Sequence, residues 1–145
     1  MADDTPKETR DRYRRFVAIT TRWADNDVYG HVNNVTYYSY FDTAVNQNLV
    51  ERGALHVTDS TEIGVVVETM CRFFKPVAFP DPLEAGLRVE KLGKSSIRYG
   101  IGIFRKGDVE AAAAGHFVHV YVRRSDFQVA PVPDAVRRAV EGLVV

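Results

Sequence analysis

At 145 residues, with 46% hydrophobic, 11% aromatic and 26% charged side chains, the chain reads as one folded domain rather than a disordered or fibrous polymer. Nineteen Lys and Arg balance nineteen Asp and Glu, so there is no basic excess of the kind that marks a nucleic-acid binder. The balance still permits an anionic ligand held by a few local cations.

A flexible segment is expected over residues 1–12 and a single domain over 13–145. Residues 16–23, Phe-Val-Ala-Ile-Thr-Thr-Arg-Trp, are rich in β-branched and aromatic types and predict a strand. Ala24-Asp25-Asn26-Asp27 breaks it with turn chemistry. Asn33 or Asn34 is suited to cap a helix over 35–52, where Tyr37, Phe41, Ala44, Val45 and Leu49 recur at helical spacing and Gly53 supplies a stop. Beyond it the period changes. Strands are predicted over 64–74, 83–92, 96–104 and 109–123, joined by short turns at Pro80-Asp81-Pro82, Gly93-Lys94 and Lys106-Gly107-Asp108. Ala111-Ala112-Ala113-Ala114 has helical propensity, but its place after a tight turn favours strand. A short covering helix is expected over 133–142. Short connections imply an antiparallel meander. The fold class is therefore α+β, an antiparallel sheet of about five strands with one long helix laid on it.

Asp25, Asn26, Asp27, His31, Asn33 and Asn34 form the densest polar group in the chain. One reading is a turn followed by a helix cap. The other is chemical. Backbone N–H groups at a helix start can polarise a carbonyl and hold an oxyanion, and a carboxylate just upstream can attack a carbonyl or deprotonate water. Histidine titrates near neutrality, so His31 is a candidate to assist water or a leaving thiolate, or else a residue that orders the loop. Asp25 reads as a loop-capping carboxylate. Cys71 reads as a small buried hydrophobe rather than a nucleophile; as the single cysteine it cannot form an internal disulfide, which suits a reducing compartment. No stretch reaches the ~18 apolar residues of a membrane-spanning helix.

The run Trp23-Ala24-Asp25-Asn26-Asp27-Val28-Tyr29-Gly30-His31-Val32-Asn33-Asn34-Val35-Thr36-Tyr37 resembles the signature of the hotdog-fold acyl-thioesterases, and within them the 4-hydroxybenzoyl-CoA thioesterase-like group. Val67-Glu68-Thr69-Met70-Cys71-Arg72-Phe73-Phe74-Lys75-Pro76 is similar to the family strand that follows the long helix. The resemblance covers residues 16–127 and implies a hotdog fold. By it Asp27 matches the catalytic carboxylate, acting as nucleophile or general base. The backbone of Val32, Asn33 and Asn34 would position the thioester carbonyl and its oxyanion. Plant acyl-carrier-protein thioesterases are similar here too, with Asp, Asn and His at alternate positions, matching Asp27, Tyr29 and His31; Tyr29 stands in place of that asparagine, which counts against an Asp-Asn-His mechanism and leaves the Asp-centred one intact. Asp42 on the helix and Glu68 on the following strand rank well below Asp27.

The activity implied is hydrolysis of an acyl-CoA thioester to a carboxylic acid and free coenzyme A. The alternatives are an acyl-carrier-protein thioesterase and a non-catalytic acyl-binding protein. Coenzyme A phosphates would be met by cations among Arg72, Lys75, Arg88, Lys91, Lys94 and Arg98, with Arg105 and Lys106 nearby in sequence, although each also reads as ordinary soluble surface. The resemblance implies no metal or redox cofactor, a homodimer or tetramer, and a cytoplasmic protein.

Overall fold

The computed structural model describes residues 8–145. Five strands, β1 (Arg15–Thr20), β2 (Glu62–Phe73), β3 (Pro82–Leu92), β4 (Ser96–Arg105) and β5 (Ala113–Arg123), form one antiparallel sheet in the order β1-β3-β4-β5-β2. Helix α1 (Asn34–Glu51) connects β1 to β2 and so carries the chain from one edge of the sheet to the other. A short helix, α2 (Asp134–Val140), followed by a 3-10 turn over Glu141–Leu143, closes the chain. The expected meander is present as β3-β4-β5, flanked by β1 and β2.

α1 forms where its apolar spacing predicts. Asn33 is the cap, its side-chain oxygen accepting the Val35 N–H at 2.9 Å, and Gly53 turns the chain away at φ +69°. Tyr37, Tyr40, Phe41, Ala44, Val45 and Leu49 are buried. They pack on the inward residues of the sheet, which follow the two-residue period of a strand: Leu83, Ala85, Leu87 and Val89 on β3, and Ile97, Tyr99, Ile101 and Ile103 on β4. Each large side chain so buried contributes about 1.5–3 kcal/mol of transfer free energy, and this interface fixes where the start of α1 lies. β2 is an edge strand, paired on one side only, with a bulge between Val66 and Glu68. Val66, Val67, Phe73 and Phe74 are exposed along it and just beyond.

Two expected strands are shorter in the structure. The first ends at Thr20, not Trp23. The Thr21 hydroxyl donates to the Asp81 carbonyl at 2.9 Å, and Trp23–Asp25 turns into a 3-10 helix closed by the Asp25 carboxylate. These local bonds override the strand preference of Thr-Arg-Trp. The last strand begins at Ala113, not Val109. Thr9 bridges Glu110, and the Ala111 N–H donates to the Glu8 carbonyl, so the N-terminal segment takes the backbone partners that a longer β5 would need. The alanine run therefore straddles the strand boundary, with all four residues buried. Of the segment 1–12 expected to be flexible, residues 1–7 lie outside the described residues. Residues 8–12 include a 3-10 turn at Arg10–Arg12, and Arg10 Nε donates to the Asp108 carbonyl at 2.6 Å.

Candidate functional site

The loop over residues 21–33 joins β1 to α1 and is closed on itself. Asp27 N–H donates to the His31 carbonyl at 2.9 Å and Gly30 N–H returns to the Asp27 carbonyl at 3.0 Å, while Asn26 and Val32 form an antiparallel bridge. The loop is also anchored to the segment between β2 and β3. Val32 N–H donates to Val77 O at 2.8 Å, Phe79 N–H to Asn26 Oδ1 at 2.9 Å, and Trp23 meets Phe79 edge to face. Asn26 belongs to the polar group picked out in the sequence, but residues 77–79 did not stand out there. Their part is to meet a distant segment, through the Val77 carbonyl, the Phe79 amide and the Phe79 ring, and the sequence carries no local signal for such contacts.

Asp25 is buried at 2% exposure. Its Oδ2 accepts the Arg22 N–H at 2.9 Å and the Tyr40 hydroxyl at 2.7 Å, and its Oδ1 accepts Arg22 Nε at 3.0 Å. Burial alone would raise its carboxyl, but the donors from Tyr40 and Arg22 outweigh it and hold the group below the usual aspartate value. The same contact, added to burial, pushes the Tyr40 phenol upward. The Asp25 carbonyl accepts Asn33 N–H at 2.9 Å, tying this carboxylate's residue to the helix cap. Asp25 is a structural strut, as its loop-capping reading predicts.

Asp27 is half-buried. Its Oδ1 accepts Tyr29 N–H at 2.9 Å, an Asx turn of the kind short acids favour. Among the described residues no donor reaches Oδ2. His31 and Asn34 are exposed, and Asp27 lies opposite His31 across the closed loop, just ahead of the helix. Of the three backbone amides expected to hold an oxyanion, two are occupied within the chain: Val32 N–H by Val77 O and Asn33 N–H by Asp25 O. Asn34 N–H, at the first helical position, has no acceptor among the described residues. The positive end of an 18-residue helix is thus presented through Asn34. A cavity of 410 Å³ between β1 and α1 is lined by Thr20, Asp25, Tyr40 and Gln47, and one of 310 Å³ lies at the far end of α1; Asp27 lines neither.

The cations do not gather around this loop. Arg72, Arg88 and Arg98 line a shallow 190 Å³ groove on the outer face of the sheet, away from α1. Arg88 is engaged there by Glu8 and Glu90, at 3.2 Å each, and lies over the Tyr13 ring. Arg98 pairs with Glu90 at 3.0 Å and meets His116 Nδ1 at 3.1 Å, and His116 Nε2 reaches Glu68 at 2.8 Å. Glu68 therefore belongs to an outer-face charge network, not to the interior. Lys75 pairs with Asp108 at 2.9 Å, which also meets Arg105. Lys91, Lys94 and Lys106 are exposed on or beside turns. Asp42 accepts from Asn46 one turn along α1, on its exposed face. Cys71 is half-buried and its thiol is pushed up to about 12 by burial, which leaves it protonated and unreactive at neutral pH. Among the described residues no three His, Cys, Asp or Glu side chains cluster to hold a metal ion, and no helix is long and apolar enough to cross a membrane.

Residues 21–140 match the family model of the thioesterase-like superfamily. The solved structure of the PA5185 protein from Pseudomonas aeruginosa PAO1 is similar at 50% identity, covering 96% of this chain and 97% of that one, with a TM-score of 0.94. PA2801 from Pseudomonas aeruginosa, described there as a proposed thioesterase, is similar at 30% identity over 88% of this chain and 98% of that one, TM-score 0.81. BH1999, a gentisyl-coenzyme A thioesterase, is similar at 27% identity over 86% and 98%, TM-score 0.75. No curated protein matched the sequence. With its long helix against five antiparallel strands and a family match running from Thr21 to Val140, the chain belongs to the thioesterase-like superfamily and has the hotdog fold that its loop motif implied.

Proposed function

We propose that the protein hydrolyses an acyl-coenzyme A thioester to a carboxylic acid and free coenzyme A, at Asp27 and the start of α1. The observation that carries this reading is that two groups at the start of α1 have no hydrogen-bond partner among the described residues: Asp27 Oδ2 in the closed loop and the Asn34 N–H at the first helical position. Every other acid near the helix start is engaged, Asp25 most completely. The likeness to a gentisyl-coenzyme A thioesterase supports coenzyme A as the carrier.

Two routes use the same groups. As a general base, Asp27 takes a proton from water, and the hydroxide adds to the thioester carbon. As a nucleophile, Asp27 adds directly and displaces the thiolate, and water then cleaves the resulting mixed anhydride. In both, the carbonyl oxygen gains negative charge that Asn34 N–H and the helix dipole stabilise. The C–S bond breaks, the thiolate takes up a proton, and one water is consumed. His31, exposed beside Asp27, is the residue placed to pass that proton.

The open character of the site supports assembly. His31 and Asn34 are exposed and Asp27 is only half-buried, and the β2 edge exposes Val66, Val67 and Phe73. A second copy of this chain covering that edge is the proposed minimum unit. Light scattering at micromolar concentration would return at least twice the mass of one chain; a stable, active monomer refutes it.

The test of function is thiol release from a panel of acyl-coenzyme A esters with aromatic, short branched and medium-chain acyl groups, each repeated on acyl carrier protein. Turnover on coenzyme A esters above the carrier-protein esters is the expected result, and no release from any coenzyme A ester overturns the reading. A complex with an inert acyl-coenzyme A analogue would place its carbonyl oxygen at roughly 3 Å from Asn34 N; a carbonyl bound elsewhere refutes the site.

A further inference from the structure

We propose that the cavity at the far end of α1 is a second small-molecule site, distinct from the Asp27 centre, and that it takes an uncharged phenol whose hydroxyl bonds to His119. The cavity has a volume of 310 Å³ and lies among the last turns of α1, the following loop, the start of β2, β5 and the start of α2. Leu49, Leu55, Val136 and the Tyr121 ring form its apolar walls. His119 is the buried polar group on its lining.

Three features of His119 point to a ligand. It is 2% exposed, and its Nδ1 has no hydrogen-bond partner among the described residues. A neutral imidazole has one nitrogen that donates and one that accepts, and leaving such groups unmet in a dry interior is costly. Second, its ring is held in a ladder of edge-to-face contacts, 4.8 Å from Phe117 and 6.1 Å from both Tyr99 and Tyr121. The position is set by packing, so the polar edge is preorganised. Third, the strand opposite is bare at this point. A Cβ on Gly64 would stand 2.9 Å from His119 Nδ1 and 3.1 Å from the Tyr121 ring, so any side chain there would press onto the imidazole.

The chemistry selects the ligand class. Burial keeps the imidazole neutral at physiological pH, so it offers no charge to an anion. Asp59 and Glu62 lie on the lining and repel one. The neighbouring cation, Arg124, is spent on the carbonyls of Ser60 and Val57. A flat ring matches the aromatic edge and aliphatic walls, and a hydroxyl serves either imidazole tautomer because it both donates and accepts. The site is not the far end of the Asp27 centre in the same chain. Asn46, which lines the cavity, is three turns beyond Asn34, roughly 18 Å along the helix.

The test uses the full chain and p-cresol. Its titration should shift the ring resonances of His119 and the amides of Gly64 and Val136 saturably. Toluene, which lacks the hydroxyl, should bind at least ~10-fold more weakly. His119→Phe keeps the aromatic ladder and should remove saturable binding. Ala135 lines the cavity from α2, and Ala135→Phe, which adds bulk to that wall and leaves His119 in place, should do the same, so a folding failure of the first variant does not shelter the proposal. Asp27→Asn should leave p-cresol binding unchanged. Shifts confined to residues 31–35, equal binding of toluene, non-saturating shifts, or undiminished binding by Ala135→Phe would each overturn it.

Discussion

Asp25 and Asp27 stand two positions apart in one loop and carry the same side chain, yet the fold uses them in opposite ways. Asp25 points into the protein, where three donors from Arg22 and Tyr40 saturate it. Asp27, half-buried, spends one oxygen on the Tyr29 amide and, among the described residues, keeps the other unpaired. A saturated carboxylate in a rigid setting is a poor base, because its lone pairs are committed and its charge is already stabilised. A half-committed one is oriented without being quenched. The comparison teaches that carboxylate count and spacing do not name a catalytic acid. Its hydrogen-bond ledger does.

The largest expected effect tests Asp27. Asp27→Asn should lower turnover by at least ~100-fold, since either proposed role needs the negative charge and acid–base catalysis alone contributes roughly 10²–10⁴-fold. The asparagine oxygen can still accept the Tyr29 N–H, so melting temperature and oligomer mass should stay at parental values. Near-parental turnover from a correctly assembled variant would remove Asp27 from the mechanism and erase the contrast with Asp25.

Asp25→Ala should do the reverse and act on the fold. It strips acceptors from the Tyr40 hydroxyl and the Arg22 amide, and unmet buried donors cost about 1–3 kcal/mol each. Because the Arg22 side chain is 74% exposed and can turn to water, a total of about 2–4 kcal/mol is expected. Thermal melting should fall by on the order of 10 °C. An unchanged melting temperature would show that Asp25 is not the strut of this loop.

Acidification sharpens the difference further. The folded Asp25 carboxyl titrates below its ordinary value of 3.8, so its contribution is complete above that value and is lost as pH falls through the depressed folded one. His119 works in a higher window. Burial lowers it from 6.5 to about 4, so the stability it contributes as a neutral group is full above 6.5 and drains away between 6.5 and 4. Subtracting Asp25→Asn from wild type cancels His119. The remaining difference in unfolding free energy should be flat above about pH 5 and shrink below the ordinary carboxylate range. A difference that stays flat or grows as pH falls through the carboxylate range would mean that Asp25 is not held below its usual value. The smallest effect is expected from Tyr40→Phe, which deletes one donor to Asp25 and should cost about 1 kcal/mol in denaturant unfolding with m unchanged.

Much of the architecture was legible in the residues. The helix announced itself through Tyr37, Phe41, Ala44, Val45 and Leu49, all buried in the structure, because a 3.6-residue apolar period has one geometric solution against a sheet. The turn at Gly93-Lys94 separates β3 from β4 within a residue or so of their ends, and Lys106-Gly107-Asp108 follows directly on β4, although β5 begins only at Ala113. Errors came where distant backbone competed with local preference. Thr21-Arg22-Trp23 has strand character but is drawn into a turn by Asp81 and Asp25, and the alanine run loses its first two residues to pairing with Glu8 and the end of β4. The cation set shows the same limit at longer range. Arg72, Arg88 and Arg98 look interchangeable with Lys91 and Lys94 in sequence, yet strand alternation sends the three arginines to the outer face, where Glu8, Glu90 and Glu68 engage Arg88 and Arg98.

The chain alone therefore specified those things that depend on period and turn chemistry: a long capped helix, a five-stranded antiparallel sheet and a polar loop at the helix start. Spatial neighbours decided the rest. Only the folded structure separates Asp25 from Asp27, because the donors that quench the first come from Arg22 and from Tyr40 on the helix, fifteen residues on. Only it spends the amides of Val32 and Asn33 and leaves that of Asn34, because the carbonyl of Val77 arrives from beyond β2. And only it leaves His119 Nδ1 without a hydrogen-bond partner among the described residues beside a cavity, since Gly64 and the walls that surround the imidazole come from separate segments of the chain. Local sequence sets which hydrogen bonds a residue can make; tertiary packing decides which of them remain unmade, and those are the ones available for chemistry.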